Sequence, residues 1–142
     1  MARRSPITAV LTGVVSTLRA SSAVVAAVGS TTNIYNNVDQ GAPYPYVVVM
    51  SPTDRPVDTM GRFGVESLVD VKAVSQARGD KEAADIVNDC LQALHFQRPT
   101  IAGHTVLGMA FENGARFQEV VNGVVTRHHV ATMRLWTEQS SS

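Results

Sequence analysis

Four histidines are the side chains in this sequence best suited to bind a metal or transfer a proton: His95, His104, His128 and His129. A structural zinc site needs three or four converging ligands, usually with one closely spaced pair on a turn or a helix. His128 and His129 are adjacent in a segment with the pattern of a strand, so their side chains are expected on opposite faces. We therefore predict that the histidines hold no metal.

Two pairs of carboxylates could support acid–base chemistry by their spacing, Asp80 with Glu82 and Asp85 with Asp89. The first pair lies where a helix is predicted to begin, and negative charge there stabilises the helix dipole. The second pair lies one turn apart on the polar face of that helix. Neither pair is flanked by apolar residues that would raise a pKa, so we predict structural roles for both.

Motifs for a nucleophile or a bound phosphate are absent from the sequence. No serine lies in a G-x-S-x-G elbow, and no P-loop is present. The single cysteine, Cys90, lies on the apolar face of a predicted helix, which favours a buried thiol over a nucleophile. The expectation is a protein that is not an enzyme and has no catalytic, cofactor-binding or metal-binding residues.

Composition and charge narrow the class of protein. The 142 residues suit one domain, predicted over 1–142 with polar terminal segments at 1–5 and 138–142. Twelve Lys and Arg residues balance twelve Asp and Glu residues, so the basic excess of a nucleic-acid-binding protein is missing. Charged residues are only 17% of the chain, and a partner covers a neutral surface at lower desolvation cost. One cysteine suits a reducing compartment.

The N-terminus has two features of a signal peptide, the basic pair Arg3-Arg4 and a short apolar run from Ile7 to Val15. Polar residues interrupt this run, which is far shorter than the ~20 apolar residues that span a bilayer. We expect neither export nor a membrane partner.

Hydrophobic periodicity predicts the helices that position these side chains. Apolar residues recur at three- and four-residue spacing over 6–19 and over 79–94, with a short helical turn over 22–28 between them. Gly29 is placed to end the short turn, and Asp80 is placed to cap the second long helix.

Runs rich in β-branched residues predict the strands, over 46–50, 65–74, 105–111, 117–121 and 124–136. Asn122-Gly123, between the last two, is a strong hairpin signal because both residues tolerate positive φ. Residues 51–63, with Pro52, Pro56 and Gly61, are the longest predicted irregular stretch. The order of elements indicates an α+β fold: a mostly antiparallel β-sheet of about four to five strands packed against two α-helices.

Ordered patterns along most of the chain, roughly 6–137, are shared with a known family. The first is an N-terminal helix ending in AVVAAVGS and followed by Ile34-Tyr35. The second is the strand opening GAPYPYVVV at 41–49, and the third is VDVKAVS at 69–75, which leads into an Ala-rich helix. A late strand ending in RLW at 134–136 completes the pattern. In these features the chain resembles the tail-completion, or tail-terminator, proteins of long-tailed, siphovirus-like bacteriophages.

The resemblance implies a structural virion protein. Such proteins form a ring, usually hexameric, that caps the head-proximal end of the tail tube, stops tube polymerisation and docks the tail to the head connector. The implied partners are further copies of the chain, the tail tube protein and the head-tail connector or stopper protein. DNA can pass through the ring lumen without sequence-specific binding. The implied location is the tail or neck of the virion, and the host cytoplasm during assembly.

Six residues are candidates for contacts within such a ring. They belong to the predicted irregular stretch and to the hairpin tip: Arg55, Asp58, Arg62, Phe63, Asn122 and Gly123. The charged members are equally compatible with ion pairs between proteins and with solvated loop charges.

Two alternative functions stay open on the residues alone. Another neck or tail component, such as a head-tail stopper, an adaptor or a tube protein, fits the same features. A small cytosolic ligand-binding domain or enzyme is disfavoured, because no converging set of titratable residues can be assembled.

Overall fold

The computed structural model describes residues 5–36, 43–58, 61–95, 97 and 99–140, so 1–4 and 141–142 of the predicted polar end segments lie outside the described residues. Its elements are, in chain order, helices α1 (Ile7–Arg19) and α2 (Ser22–Val28), strands β1 (Ile34–Tyr35), β2 (Tyr46–Pro56) and β3 (Gly64–Ser75), helix α3 (Lys81–Leu94), and strands β4 (His104–Val121) and β5 (Val124–Gln139). A single 3₁₀ turn, Thr31–Asn33, precedes β1.

The described strands form one five-stranded sheet in the order β1-β2-β3-β5-β4. β1 runs parallel to β2, and every other neighbouring pair is antiparallel. This confirms the predicted α+β fold with a mostly antiparallel sheet. The described residues hold three α-helices rather than two, because the short turn predicted over 22–28 is the two-turn helix α2.

The three helices pack on one face of the sheet. Alternate residues of β3 and β5 are buried on this face, where Val69 pairs with Met133 and Val71 pairs with Ala131. Apolar residues of all three helices complete the same core, among them Val10, Val14, Leu18, Val24, Ile86 and Leu94. The opposite face of the sheet carries mixed charged and apolar residues, as the alternation in 65–74 predicts, and no described helix covers it.

The helix ends differ in how they are satisfied. Ser21 accepts a hydrogen bond from the Val24 N–H, and Gly29 ends α2 with φ of 87°, as predicted. Asp80 occupies the N-cap position of α3 but makes no capping hydrogen bond, so the predicted cap is wrong. No described helix is by itself long and apolar enough to cross a membrane, although α1 and α2, joined at an 84° bend, pass together on length and composition.

The predicted irregular stretch over 51–63 is wrong in its first half. β2 continues to Pro56, and residues from Thr53 onward pair with β3. The register shifts between Met50 and Thr53, so the proline in this interval falls at a bulge, one of the few places where a strand tolerates proline. The connection between β2 and β3 is therefore only 57–63, of which 59 and 60 lie outside the described residues.

β4 is a single strand of 18 residues, whereas the sequence predicted two separate strands over 105–111 and 117–121. Register shifts between Val106 and Gly108 and between Phe111 and Asn113 interrupt its pairing with β5 without ending it. The two bulges explain the mistake, because each one breaks the strict alternation that a strand pattern requires. β5 also runs through Gln139, so the first two residues of the predicted tail at 138–142 belong to the sheet.

Candidate protein–protein interface

The histidines that could have formed a metal site do not converge. His128 and His129 point to opposite faces of β5, as predicted: the Nε2 of His128 lies 2.8 Å from the Glu119 carboxylate, and the Nε2 of His129 lies 3.5 Å from Asp80. Among the described residues, no group of three or more His, Cys, Asp or Glu side chains is arranged to hold a metal ion.

His128 is a buried, neutral component of the hairpin. Its ring stacks on Phe117 with centroids 4.4 Å apart, and its Nδ1 is buried without a hydrogen-bond partner among the described residues. Burial lowers the pKa of His128, and nearby Lys72 lowers it further, while the hydrogen bond and charge of Glu119 act in the opposite direction. The arrangement favours structural packing over proton transfer at the surface.

Cys90 is 1% exposed and belongs to the core beneath the helices. Burial raises the pKa of its thiol to about 12, with the charge of Asp89 as a lesser cause. A thiol with this pKa stays protonated at neutral pH and is a poor nucleophile. The prediction of a buried core thiol is confirmed.

Asp80 anchors the stem of the β4–β5 hairpin to the start of α3. Its carboxylate lies 2.9 Å from the Arg116 guanidinium, 3.4 Å from that of Arg127 and 3.5 Å from His129. Arg127 also donates to the Ala77 carbonyl at 2.9 Å. These contacts use the carboxylate that the sequence assigned to helix capping, and they hold the hairpin against the helical layer.

The outer half of this hairpin exposes several large apolar side chains. Every residue of β4 from 111 to 120 is exposed, including Val120 at 69% and Phe117 at 49%. Of the nine exposed large apolar side chains among the described residues, six belong to β4 or β5: Leu107, Phe111, Phe117, Val120, Val124 and Val125. Exposed apolar side chains concentrated on one element mark a surface that a partner covers.

The hairpin tip has the predicted geometry. Asn122 and Gly123 adopt φ of 50° and 80° between the paired residues Val121 and Val124, which is the two-residue turn that Asn-Gly favours. The tip extends past β3, whose last paired residue, Ser75, lies opposite Arg127. The outermost residues of β5 therefore have only β4 as a strand neighbour.

The other four candidate contact residues lie at the opposite end of β5, and three of them make internal contacts through their side chains. Arg55 lies 3.5 Å from Glu66, and Arg62 lies 3.1 Å from Glu138. Asp58 accepts a hydrogen bond from the Gly64 N–H at 3.1 Å, and the half-buried Phe63 accepts one from Gln139 through its carbonyl. The two candidate regions are separated by the 16 residues of β5, about 50 Å, so they belong to different surfaces.

Glu66 organises the helix-free face of the sheet beside this region. Besides Arg55, its carboxylate contacts the Arg134 guanidinium at 3.5 Å and accepts from the Trp136 Nε1–H at 3.2 Å. Asp70 on the same face accepts from the Thr132 hydroxyl at 2.6 Å. Glu66, Arg134 and Asp70 on this face therefore have polar partners within the chain.

Sequence reasoning found the hairpin tip but missed the edge of β4 beside it. The missed residues are Phe111, Phe117 and Val120, which the sequence placed in strands without showing whether another strand covers them. The available signal was the run Val120-Val121 and Val124-Val125 around the turn, because it puts apolar side chains on both faces of the hairpin, where only one face can pack on a core.

Comparison with known proteins gives a similar solved structure and a matching family. No curated protein matches the chain. Among similar solved structures is a chain from the virion of a native gene transfer agent particle, 19% identical, with a TM-score of 0.78 over 96% of this chain and 99% of that chain. At this identity the likeness shows a common fold. The family model for the tail completion protein gp17 matches residues 12–138. The chain therefore belongs to the tail completion protein gp17 family and is a structural tail protein.

Proposed function

We propose that this chain is a subunit of a ring, hexameric as the sequence resemblance implies, at the head-proximal end of a phage tail tube. The ring ends tube polymerisation and docks the tail to the head connector. The observation that carries the proposal is the exposed apolar hairpin of β4 and β5, which a solitary subunit would leave in water.

A ring requires each subunit to offer two different surfaces to its neighbours. The chain has a candidate for the first in the hairpin, and the helix-free face of the sheet, which no described helix covers, is available for the second. A net charge of zero means that identical subunits approach without mutual repulsion. Both features favour association of like chains.

We assign the contacts with the tube or connector to the charged end of the sheet. Arg55, Asp58, Arg62 and Phe63 lie together there, about 50 Å from the hairpin tip. The charged members of this group suit a reversible docking step, because charge complementarity guides how two proteins meet and orient.

We further propose that the protein is not an enzyme and acts as one domain. Two groups that could react are withheld from chemistry, since Cys90 stays protonated and His128 is buried. Buried side chains from the three helices and five strands join one core cluster, which supports a single folding unit. Its site of action is the virion, reached from the host cytoplasm where tails assemble, and the likeness to a chain of a virion particle supports that location.

Deleting the gene and imaging the resulting particles tests the role in the tail. Overlong tails that lack heads are expected, because nothing ends tube growth. Heads that have lost DNA beside tails of normal length would contradict the proposal and indicate a head-tail stopper instead. An absence of tubes would indicate a tube protein.

Light scattering of the purified protein tests the ring. A species of about six subunits is expected, dissociating only on dilution. A protein that stays monomeric at high concentration, in the presence and absence of tube protein, contradicts the ring.

A further inference from the structure

We infer that the outer edge of β4, from Gly114 to Val120, pairs with a strand of a second copy of this chain, so that the sheet continues from one subunit into the next. The inference rests on the proposed ring and names the surface through which neighbouring subunits meet. Three features of the hairpin carry it: the direction of its backbone groups, an edge uninterrupted by proline or a bulge, and its balanced charge.

The backbone of β4 presents hydrogen-bonding groups away from β5. β4 is the last strand in the sheet order of the described residues, and its register with β5 is unbroken from Asn113 to Val121. In an antiparallel pair, residues that bond to the partner alternate with residues whose N–H and C=O point outward. Because Val121 and Val124 close the two-residue turn, the outward positions are Gly114, Arg116, Gln118 and Val120.

This edge lacks several of the backbone features that prevent strand pairing. Exposed edge strands are usually short, or are interrupted by proline or a bulge. β4 is 18 residues long, its bulges lie before Asn113, and no proline occurs between Asn113 and Val121. An edge of this kind is a template for pairing with another strand.

The side chains beside the edge match such pairing on both faces of the sheet. Phe117 extends over the helix-free face, where it stacks on His128. Val120 pairs with Val125 on the opposite face, and both are exposed. An added strand would cover Phe117 on one side and the two valines on the other, which supplies apolar burial in addition to main-chain hydrogen bonds.

The charge of the edge favours a copy of the same chain. Arg116 is paired with Asp80 at 2.9 Å, and Glu119 lies 2.8 Å from His128. The edge from Gly114 to Val120 carries one basic and one acidic side chain, Arg116 and Glu119, so it does not select a strongly acidic or basic partner, and the chain itself has a net charge of zero. In a ring the contact is heterologous, so β4 meets a different part of the neighbour, whereas two β4 edges facing each other would close a dimer.

Residue-resolved amide hydrogen exchange gives a direct test, with the assembled protein compared with a dissociated one. In the assembly, the outward amides of Gly114, Arg116, Gln118 and Val120 should exchange at least about tenfold more slowly than in the monomer. The amides at 115, 117 and 119 bond to β5 in both states and should change far less. An equal change at all positions, or none, overturns the inference.

Two variants keep the test independent of one mutant's folding. Gln118→Pro removes an outward N–H that the hairpin itself does not use, and Val120→Asp leaves the backbone unchanged. Each should raise the concentration at which the assembly dissociates at least tenfold, measured by light scattering, with an unchanged monomer circular-dichroism spectrum. Ile7→Asp, which alters a similarly exposed apolar residue on α1, is the matched control and should assemble normally.

The outcomes separate this inference from the proposed ring. Rings of wild-type size from both β4 variants would overturn the edge contact and leave the ring standing. A wild-type protein that never assembles would overturn both. Outward amides that become protected only when tube protein is added would assign the edge to that partner and overturn the pairing of like chains, as would a wild-type species that stops at a dimer.

Discussion

The two ends of β5 are built in opposite ways. At its C-terminal end, the 57–63 connection is charged, and its groups contact one another or the sheet: Arg62 with Glu138, and Asp58 with the Gly64 N–H. Gly64 is needed there, because a Cβ on this residue would lie 2.6 Å from the Val57 carbonyl oxygen. At the N-terminal end, the Asn122-Gly123 tip is surrounded by exposed valines. The polar groups of the first end have partners within the chain, whereas the second end leaves apolar side chains exposed.

This difference suggests separate tasks for the two ends. A connection with its own hydrogen bonds keeps its shape before assembly and can present a fixed pattern of charge. Exposure of apolar side chains to water is unfavourable, and their burial lowers the free energy of the system. An apolar hairpin therefore supports permanent contact between subunits. The following predictions test this division, from the largest expected effect to the smallest.

The largest effect is expected from two charges at the tip. Val124→Asp combined with Val125→Asp should weaken assembly at least about 100-fold, because burying unpaired charge in an interface costs several kcal/mol. Both side chains are exposed in the single chain, so the free energy of unfolding of the monomer should change by less than about 1 kcal/mol. Light scattering and urea unfolding measure the two quantities. Normal assembly of this variant would contradict the assignment of subunit contacts to the hairpin end of β5.

Reversing charges at the other end should leave the ring intact. Arg55→Glu with Arg62→Glu removes two exposed ion pairs, each worth at most about 1 kcal/mol. We expect rings of normal size that bind tube or connector protein about tenfold more weakly, measured in a binding assay with each purified partner. Rings that fall apart would show that this end also joins subunits, while unchanged binding would leave its charges as solvated loop charges.

Loosening the stem of the hairpin should have a moderate effect on stability. Asp80→Asn removes the carboxylate shared by Arg116, Arg127 and His129, at a cost of about 1 kcal/mol because the site is partly exposed. Thermal unfolding should show a Tm lower by a few degrees. Asp85→Asn, which alters an exposed helix pair on the same helix, is the control and should unfold almost like the wild type.

The smallest effect is expected from pH. Burial lowers the pKa of His128 below its ordinary 6.5, so between these two values the unfolded chain binds more protons than the folded one. The contribution of His128 to the free energy of unfolding should therefore be fully present above about pH 6.5. It should fall as the pH drops below this value and level off below the pKa of the folded state. His128→Gln should flatten this part of the profile of Tm against pH, and a wild-type slope in the variant would exclude His128 as its source.

Local sequence patterns correctly predicted a helix end, a hairpin turn and the two faces of a strand. The φ angles at Gly29 and Asn122-Gly123 follow from residue type, and the alternation in 65–74 correctly assigned its two faces. Errors occurred where tertiary contacts override a local rule. Asp80 was predicted as a cap, but two arginines and a histidine from the distant hairpin compete for its carboxylate. β4 was divided in two because bulges disrupt its alternation.

The candidate interface was predicted less completely than the fold. The six residues chosen from the sequence lie in turns or beside the β2–β3 connection, because prolines, glycines and charges mark such positions. The strand beside the tip escaped notice, since Phe117 and Val120 are residues that a buried strand would also contain. Whether they are covered depends on a neighbouring strand that no local pattern records.

The sequence by itself determined that the chain has a helical layer on a mostly antiparallel sheet, a tight turn at Asn122-Gly123 and a buried, unreactive Cys90. These features depend on side-chain periodicity and on backbone preferences, which act over a few residues. Only the tertiary structure decided that β5 lies between β3 and β4, which leaves β4 at the edge. Strand order results from pairing between distant segments, and alternation is the same in a central strand and in an exposed one. The expectation that the chain is not an enzyme came from residue types, whereas the candidate interface along β4 could be located only in the sheet.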